Sequence, residues 1–190
     1  MSASTETMLP AILDTIHQRR AVRSYLPDPL GEATINTLLH AAVNAPTAMH
    51  LEPWAFVVVQ DAGMLRRLSD RAIAMATERG DHLARVATPG YSIFHDATTL
   101  IVICGKPLGT FVTADCWLAA ENLMLAAYGL GLGTCCIGFA VPVLNTAEVK
   151  RELGIPADVT AIAPIIVGVP RGHTPPVSRK PPDILRWFKT

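Results

Sequence analysis

Three arginines, Arg19, Arg20 and Arg23, fall within five residues, where a helical pattern gives way to the loop-like QRRAVRSYLPDPL. Guanidinium forks match phosphate oxygens in shape and charge, so this cluster can clamp an anion. It suits equally well a solvated basic helix end that complements the helix dipole. A second basic pair, Arg179 and Lys180, stands between prolines near the C-terminus and reads on its own as surface. The run GLGLG, with Gly129, Gly131 and Gly133, invites comparison with a dinucleotide-binding loop. That loop, however, follows a strand and opens a helix. Here the glycines close a helical stretch and precede an apolar run, which fits a helix C-cap. They can also bring bare backbone amides close to a flat ligand.

The segment NAPTAMHLEPW supplies Pro46, Thr47, the backbone around Ala48, and His50, which can hydrogen-bond a heterocycle edge or simply stand exposed. Glu52 has no second carboxylate in sight, since Asp115 and Glu121 lie on a separate helical stretch. Ser24 and Ser178 lack recognisable His–Asp partners. The four cysteines, Cys104, Cys116, Cys135 and Cys136, sit in apolar surroundings without CxxC spacing. They read as reduced core thiols and not as a metal site. Nucleophilic and metal-assisted hydrolysis are therefore poorly supported. What remains fits cofactor chemistry, in which the protein binds and orients while the cofactor reacts.

These residues need elements to hold them. Three-four spacing of apolar residues predicts helices over Leu9–Arg19, Gly31–Asn44 and Ala62–Arg79. Short β-branched runs predict buried strands at AFVVVQ, TTLIVICG, TCCIGF and VTAIAPIIVGV, the last bent or bulged by Pro164. Between the second and third lies a helix starting near Phe111, apolar on almost every face and interrupted only by Asp115, Glu121 and Asn122. Such a helix must be buried in a core, a membrane or a subunit interface. Its glycines, Pro142 and the absence of a flanking basic cluster argue against a membrane span. A short helix follows at Thr146–Leu153. Residues 80–95 have no steady period and are the candidate flap. The proline-rich tail, 171–190, is expected to be extended, with Ile184, Leu185, Trp187 and Phe188 seeking a surface.

At 190 residues the chain fits one domain, 1–190, whose residues 1–9 are expected to be flexible. Strands alternating with helices give an α+β or α/β layered architecture. Charged residues make up 17%, against about a quarter in average proteins. The shortfall points to surface hidden in an oligomer. A formal net charge of zero argues against nucleic acid or an anionic membrane as partner. No signal peptide is visible at the N-terminus, so a cytoplasmic enzyme is the expectation.

Several segments taken together resemble the flavin-dependent nitroreductase family. HQRRAVRSYLPDP is similar to its opening arginine motif, and AVNAPTAMHLEPWAFVVV to its Ala-Pro-Ser-x-x-Asn-x-Gln-Pro-Trp loop and following strand. FHDATTLIVICG, ENLMLAAYGLGLGTCCIGF and IIVGVP…RKPPDI occur in the family's order, so the resemblance runs from about Ile12 to Trp187. It implies an α+β, nitroreductase-like three-layer α/β/α sandwich. The sheet would be mixed but mostly antiparallel, and the extended tail would reach the partner subunit. It also implies a homodimer with FMN at the subunit interface, NADH or NADPH as electron donor, and a small-molecule acceptor such as a nitroaromatic or quinone.

Carried over by motif, Arg19, Arg20, Ala21 and Arg23 would face the FMN phosphate and ribityl chain. Pro46, Thr47, Ala48 and His50 would line the flavin from the partner chain. The backbone around Cys136, Ile137 and Gly138 would meet the isoalloxazine edge, and Arg179 or Lys180 would close on the phosphate. Ala21 stands where the family often has serine, His50 replaces the usual asparagine and Glu52 the usual glutamine. A negative Glu52 near the flavin would make its reduction harder. The implied reaction is ping-pong hydride transfer with no side-chain acid–base pair and no metal. Its rivals are reductive dehalogenation, ene reduction or flavin ring cleavage on the same scaffold, and a non-catalytic flavin-binding protein.

Overall fold

A computed structural model describes residues 3–80, 88 and 90–189. Four strands form one sheet: β1 (Trp54–Val59), β2 (Thr99–Gly105), β3 (Gly133–Cys136) and β4 (Thr160–Gly168), in the order β1-β2-β4-β3. All three strand pairs are antiparallel. The parallel component of the expected mixed sheet is reduced to a single bridge, Ala21 to Thr134, which lays the arginine segment along the edge strand β3.

Period-two alternation builds the layers. On β2, Leu100, Val102 and Cys104 face a core shared with α3 (Ala62–Arg79) and the segments around Val143, Leu144 and Val149. Ile101 and Ile103 point the other way, toward α2 (Glu32–Val43) and a central helix, Val112–Gly129. Helices on both faces of one sheet make the expected three-layer sandwich.

Pro164 does not itself carry the irregularity of β4. It keeps register opposite Val102, while the shift falls where Ile103 pairs Ala163 and Cys104 pairs Ala161. The unpaired Ile162 and the adjacent Ala163 therefore point into the same layer, as a bulge requires. A residue's N and C=O point to the same side of a strand. Because the Ile137 N–H donates to the Pro164 carbonyl at 2.9 Å, the donor that proline lacks falls where β3 has already ended at Cys136. The third strand is correspondingly shorter than TCCIGF. After Cys136 the chain turns through a 3-10 segment, Gly138–Ala140, into the short helix Val141–Leu144, with Pro142 in its first turn.

The central helix is buried on one side only. Cys116, Ala119, Ala120, Leu123 and Ala127 pack against the sheet and α2, and the Asn122 amide donates to the Ala41 carbonyl. Phe111, Trp117 and Leu118 stay exposed on the protomer, as do Ile12, Leu13 and Ile16 of α1 (Ala3–Gln18). That first helix begins ahead of Leu9 and takes in residues expected to be flexible. No helix of the described residues is long and apolar enough to cross a membrane.

Of the expected flap, residues 81–87 and 89 lie outside the described residues. Its end is anchored, since Ile93 and Phe94 are core residues and the Ile93 N–H donates to the buried Ser69 hydroxyl. Beyond Pro170 the described residues of the tail form no helix or strand. Arg171 ties it down by donating its N–H to Ser24 O and its Nε–H to Tyr25 O, but Ile184, Trp187 and Phe188 are exposed and Leu185 is 95% exposed.

Candidate functional site

The arginine segment is held flat on the sheet edge by backbone and by missing side chains. The Val22 N–H donates to Thr134 O at 2.9 Å, the Leu26 N–H to Val169 O at 2.8 Å, and the buried Tyr25 hydroxyl to Val22 O at 2.7 Å. Gly133 makes room: a Cβ there would lie 2.7 Å from Val22 Cγ2. Gly133→Ala must push Val22, and the arginines flanking it, off β3. We expect a destabilisation of about 1–3 kcal/mol, read as a lowered midpoint in denaturant with the slope unchanged.

The structure divides the arginine cluster between two cavities. Arg19 and Arg20 line a cleft of about 760 Å³ together with the end of α1, the glycine turn Gly129, Gly131 and Gly133, and His173 and Thr174 of the tail. Gly131, at φ 74°, is the glycine that takes the left-handed conformation after the central helix. Arg23 lines a different hollow of about 340 Å³, shared with His95, Cys136, Ile137 and Gly138.

In the cleft, Arg20 Nη1 donates to the carbonyls of His17 and Arg19. Arg19 Nε lies 3.4 Å from Glu121 Oε1, within ion-pair range, yet without the alignment of a hydrogen bond. Both Arg19 Nε and Arg20 Nε are buried without a hydrogen-bond partner. Leaving a buried donor unmade costs about 1–3 kcal/mol, more when it is charged. Two such donors on residues that line one cleft are complementary to an anionic, oxygen-rich group, and the adjacent glycine backbone leaves room for a ligand.

The smaller hollow holds His95, a residue the sequence reading missed. His95 and Asp96 adopt left-handed backbone at φ 51° and 57°, which non-glycine residues seldom do outside constrained sites. Burial, then the Arg23 guanidinium, push the His95 imidazole toward its neutral form against the opposing pull of Asp96. A histidine in an irregular stretch carries no sequence signal for this placement. Burial and the neighbouring Cys135 raise the Cys136 thiol to about 11, although Arg19 pulls the other way. It is therefore a neutral thiol and no nucleophile at physiological pH. All four cysteines are free, and among the described residues no group of metal-ligating side chains gathers.

The third part of the expected site stands apart. Met49, His50 and Glu52 have φ of 53°, 56° and 46°. Met49 is 90% exposed, and the exposed His50 Nε2 lies 3.3 Å from Glu52 Oε1. Neither the cleft nor the hollow is lined by residues 46–50 or by Arg179 and Lys180. The chain thus brings Arg19 and Arg20 to one cavity, and Arg23, Cys136, Ile137 and Gly138 to another. It leaves the His50 loop and the tail pair outside both. Ala21 lies between, exposed, and bridged to Thr134.

The model of the nitroreductase family matches residues 16–169. A Bacteroides fragilis nitroreductase solved with bound FMN has a TM-score of 0.82, at 27% identity, covering 94% of this chain and 98% of that one. The 5,6-dimethylbenzimidazole synthase of Rhodospirillum rubrum is 32% identical over 183 residues, 86% of this chain and 84% of the relative. An NADH dehydrogenase of Thermus thermophilus is 27% identical over 197 residues, covering 90% and 92%.

Proposed function

The chain belongs to the nitroreductase family, and we propose that it is an FMN-dependent NAD(P)H oxidoreductase acting on a small organic acceptor such as a quinone or nitroaromatic. The observation that carries this reading is the pair of buried, unpartnered guanidinium nitrogens, Arg19 Nε and Arg20 Nε, on the cleft. They fit the phosphate of FMN. When bound, FMN supplies the two-electron chemistry, accepting hydride from the nicotinamide and returning it to the acceptor.

The chain's own residues bind and orient. Arg19 and Arg20 hold the phosphate end, and Glu121 steers Arg19. Arg23, on the far side of Val22, stands with Cys136, Ile137 and Gly138 where the ring would rest. Its positive charge favours electron density on that ring. Pro46, Thr47, Ala48 and His50 reach the ring from a second subunit, as do Arg179 or Lys180 for the phosphate. The exposed apolar faces of α1, the central helix and the tail support that homodimer. No acid–base pair is required, and the neutral thiol of Cys136 takes no part.

Steady-state oxidation of NADH and NADPH by the FMN-loaded protein, with menadione and nitrofurazone as acceptors, tests the reading. Turnover with at least one pair is expected; bound FMN without turnover with either donor would reduce the protein to a flavin binder. The relationship to a 5,6-dimethylbenzimidazole synthase favours one second reading, cleavage of the flavin ring itself. It predicts that FMN first reduced by the nicotinamide and then exposed to oxygen is lost stoichiometrically, with formation of dimethylbenzimidazole.

A further inference from the structure

Asp115 is a buried carboxylate, 3% exposed, in the first turn of the central helix, where the helix dipole favours a negative charge, and among the described residues it makes no ion pair. Its own N–H donates to Phe111 O, so it sits one turn inside the central helix. The helix N-cap makes no side-chain hydrogen bond. The carboxylate reaches out of the helix instead: Oδ1 accepts the Ala48 N–H at 3.1 Å, across 67 residues of sequence. Burying a carboxylate is costly unless it is hydrogen-bonded, and what this one holds is the loop with left-handed Met49, His50 and Glu52. Within that loop the remaining backbone bonds are local and long, His50 N–H to Thr47 O at 3.5 Å and Leu51 N–H to Ala48 O at 3.2 Å. They close a turn without fixing where it stands.

We propose that Asp115 is the positioning residue that locks the Thr47–His50 loop to the central helix in the conformation that receives the cofactor of the neighbouring subunit. Asp115 lies close in sequence to Trp117 and Leu118, exposed apolar residues of the same helix, and to its exposed N-cap, Phe111. The loop is thereby fixed to the element that carries the subunit interface and moves with it. The conclusion rests on the reading that residues 46–50 line FMN across a dimer.

Hydrogen exchange and FMN titration on the full-length apoprotein separate the possibilities. Asp115→Ala should speed amide exchange over Ala48–Leu51 and weaken FMN binding by about tenfold to a hundredfold, the range for loss of one charge-assisted hydrogen bond. Asp115→Asn keeps an acceptor oxygen and should restore most of both, whereas Asp115→Leu, which fills the space without an acceptor, should behave like Asp115→Ala; full rescue by Leu would overturn the assignment. Exchange unchanged in Asp115→Ala, or faster exchange with unchanged FMN affinity, would overturn the assignment. Should Asp115→Ala not fold, Ala48→Pro removes the same bond from its other end. Thr47 at φ −129°, ψ 149° already has the extended backbone that a following proline demands. FMN affinity unchanged in Ala48→Pro likewise overturns it. Wild-type protein that takes up no FMN at all is a separate outcome, defeating the proposed function and with it the cofactor role given to the loop.

Discussion

Replacing Arg19 and Arg20 together by alanine should lower FMN affinity by about 10²–10⁴-fold while leaving a folded chain. Each guanidinium presents a buried donor without a hydrogen-bond partner, and a hydrogen bond between charged groups contributes about 1.5–3 kcal/mol. Two therefore account for the range through about 1.4 kcal/mol per factor of ten. Folding should not suffer in proportion, because truncation removes two unmet donors as well as the Arg19–Glu121 pair, which is partly exposed and weak. Fluorescence titration of FMN against the double variant measures the first effect and circular dichroism checks the second. Arg23→Ala offers an internal contrast. Its side chain lies in the other hollow, so it should disturb the ring environment, seen in the flavin spectrum, more than the affinity.

The second large effect concerns assembly. Trp117→Asp combined with Leu118→Asp places two charges on the exposed apolar face of the central helix. If that face is the subunit contact, sedimentation should show a monomer, and FMN should be lost although no residue of the arginine cleft has changed. The loss would follow because the loop at residues 46–50 lines neither cavity of its own chain, and the proposed site takes it from a second subunit. A double variant that remains dimeric and yellow would move the interface to another surface. The tail is an independent reporter: with Leu185, Trp187 and Phe188 exposed on one protomer, it should gain proteolytic protection only in the dimer.

Local rules made the scaffold legible in the sequence. Helix Ala62–Arg79 follows from its apolar spacing, with Asp61 accepting the Met64 N–H at the start and left-handed Gly80 at the end. The β-branched runs located β1, β2 and β4 to within a residue or two. The site was legible only in part. Arg19, Arg20 and Arg23 read as one cluster because they are close in sequence, yet the fold gives Arg19 and Arg20 to one cavity and Arg23 to another. The bulge at Ile162 escaped because register is set by the partner strand β2 and not by Pro164. The burial of Asp115 and its grip on Ala48 depend on a contact 67 residues away, and no periodicity encodes that. His95 likewise acquires meaning only from its closeness to Arg23.

The visible absorption spectrum of the purified protein, reconstituted with FMN where necessary and recorded anaerobically before and after addition of NADH or NADPH, tests the central claim most directly. The cleft at Arg19 and Arg20 predicts a yellow protein carrying one FMN per chain, bleached by at least one of the two nicotinamides and recoloured by menadione. A colourless protein that cannot take up FMN, or a yellow one that neither nicotinamide bleaches, would contradict it.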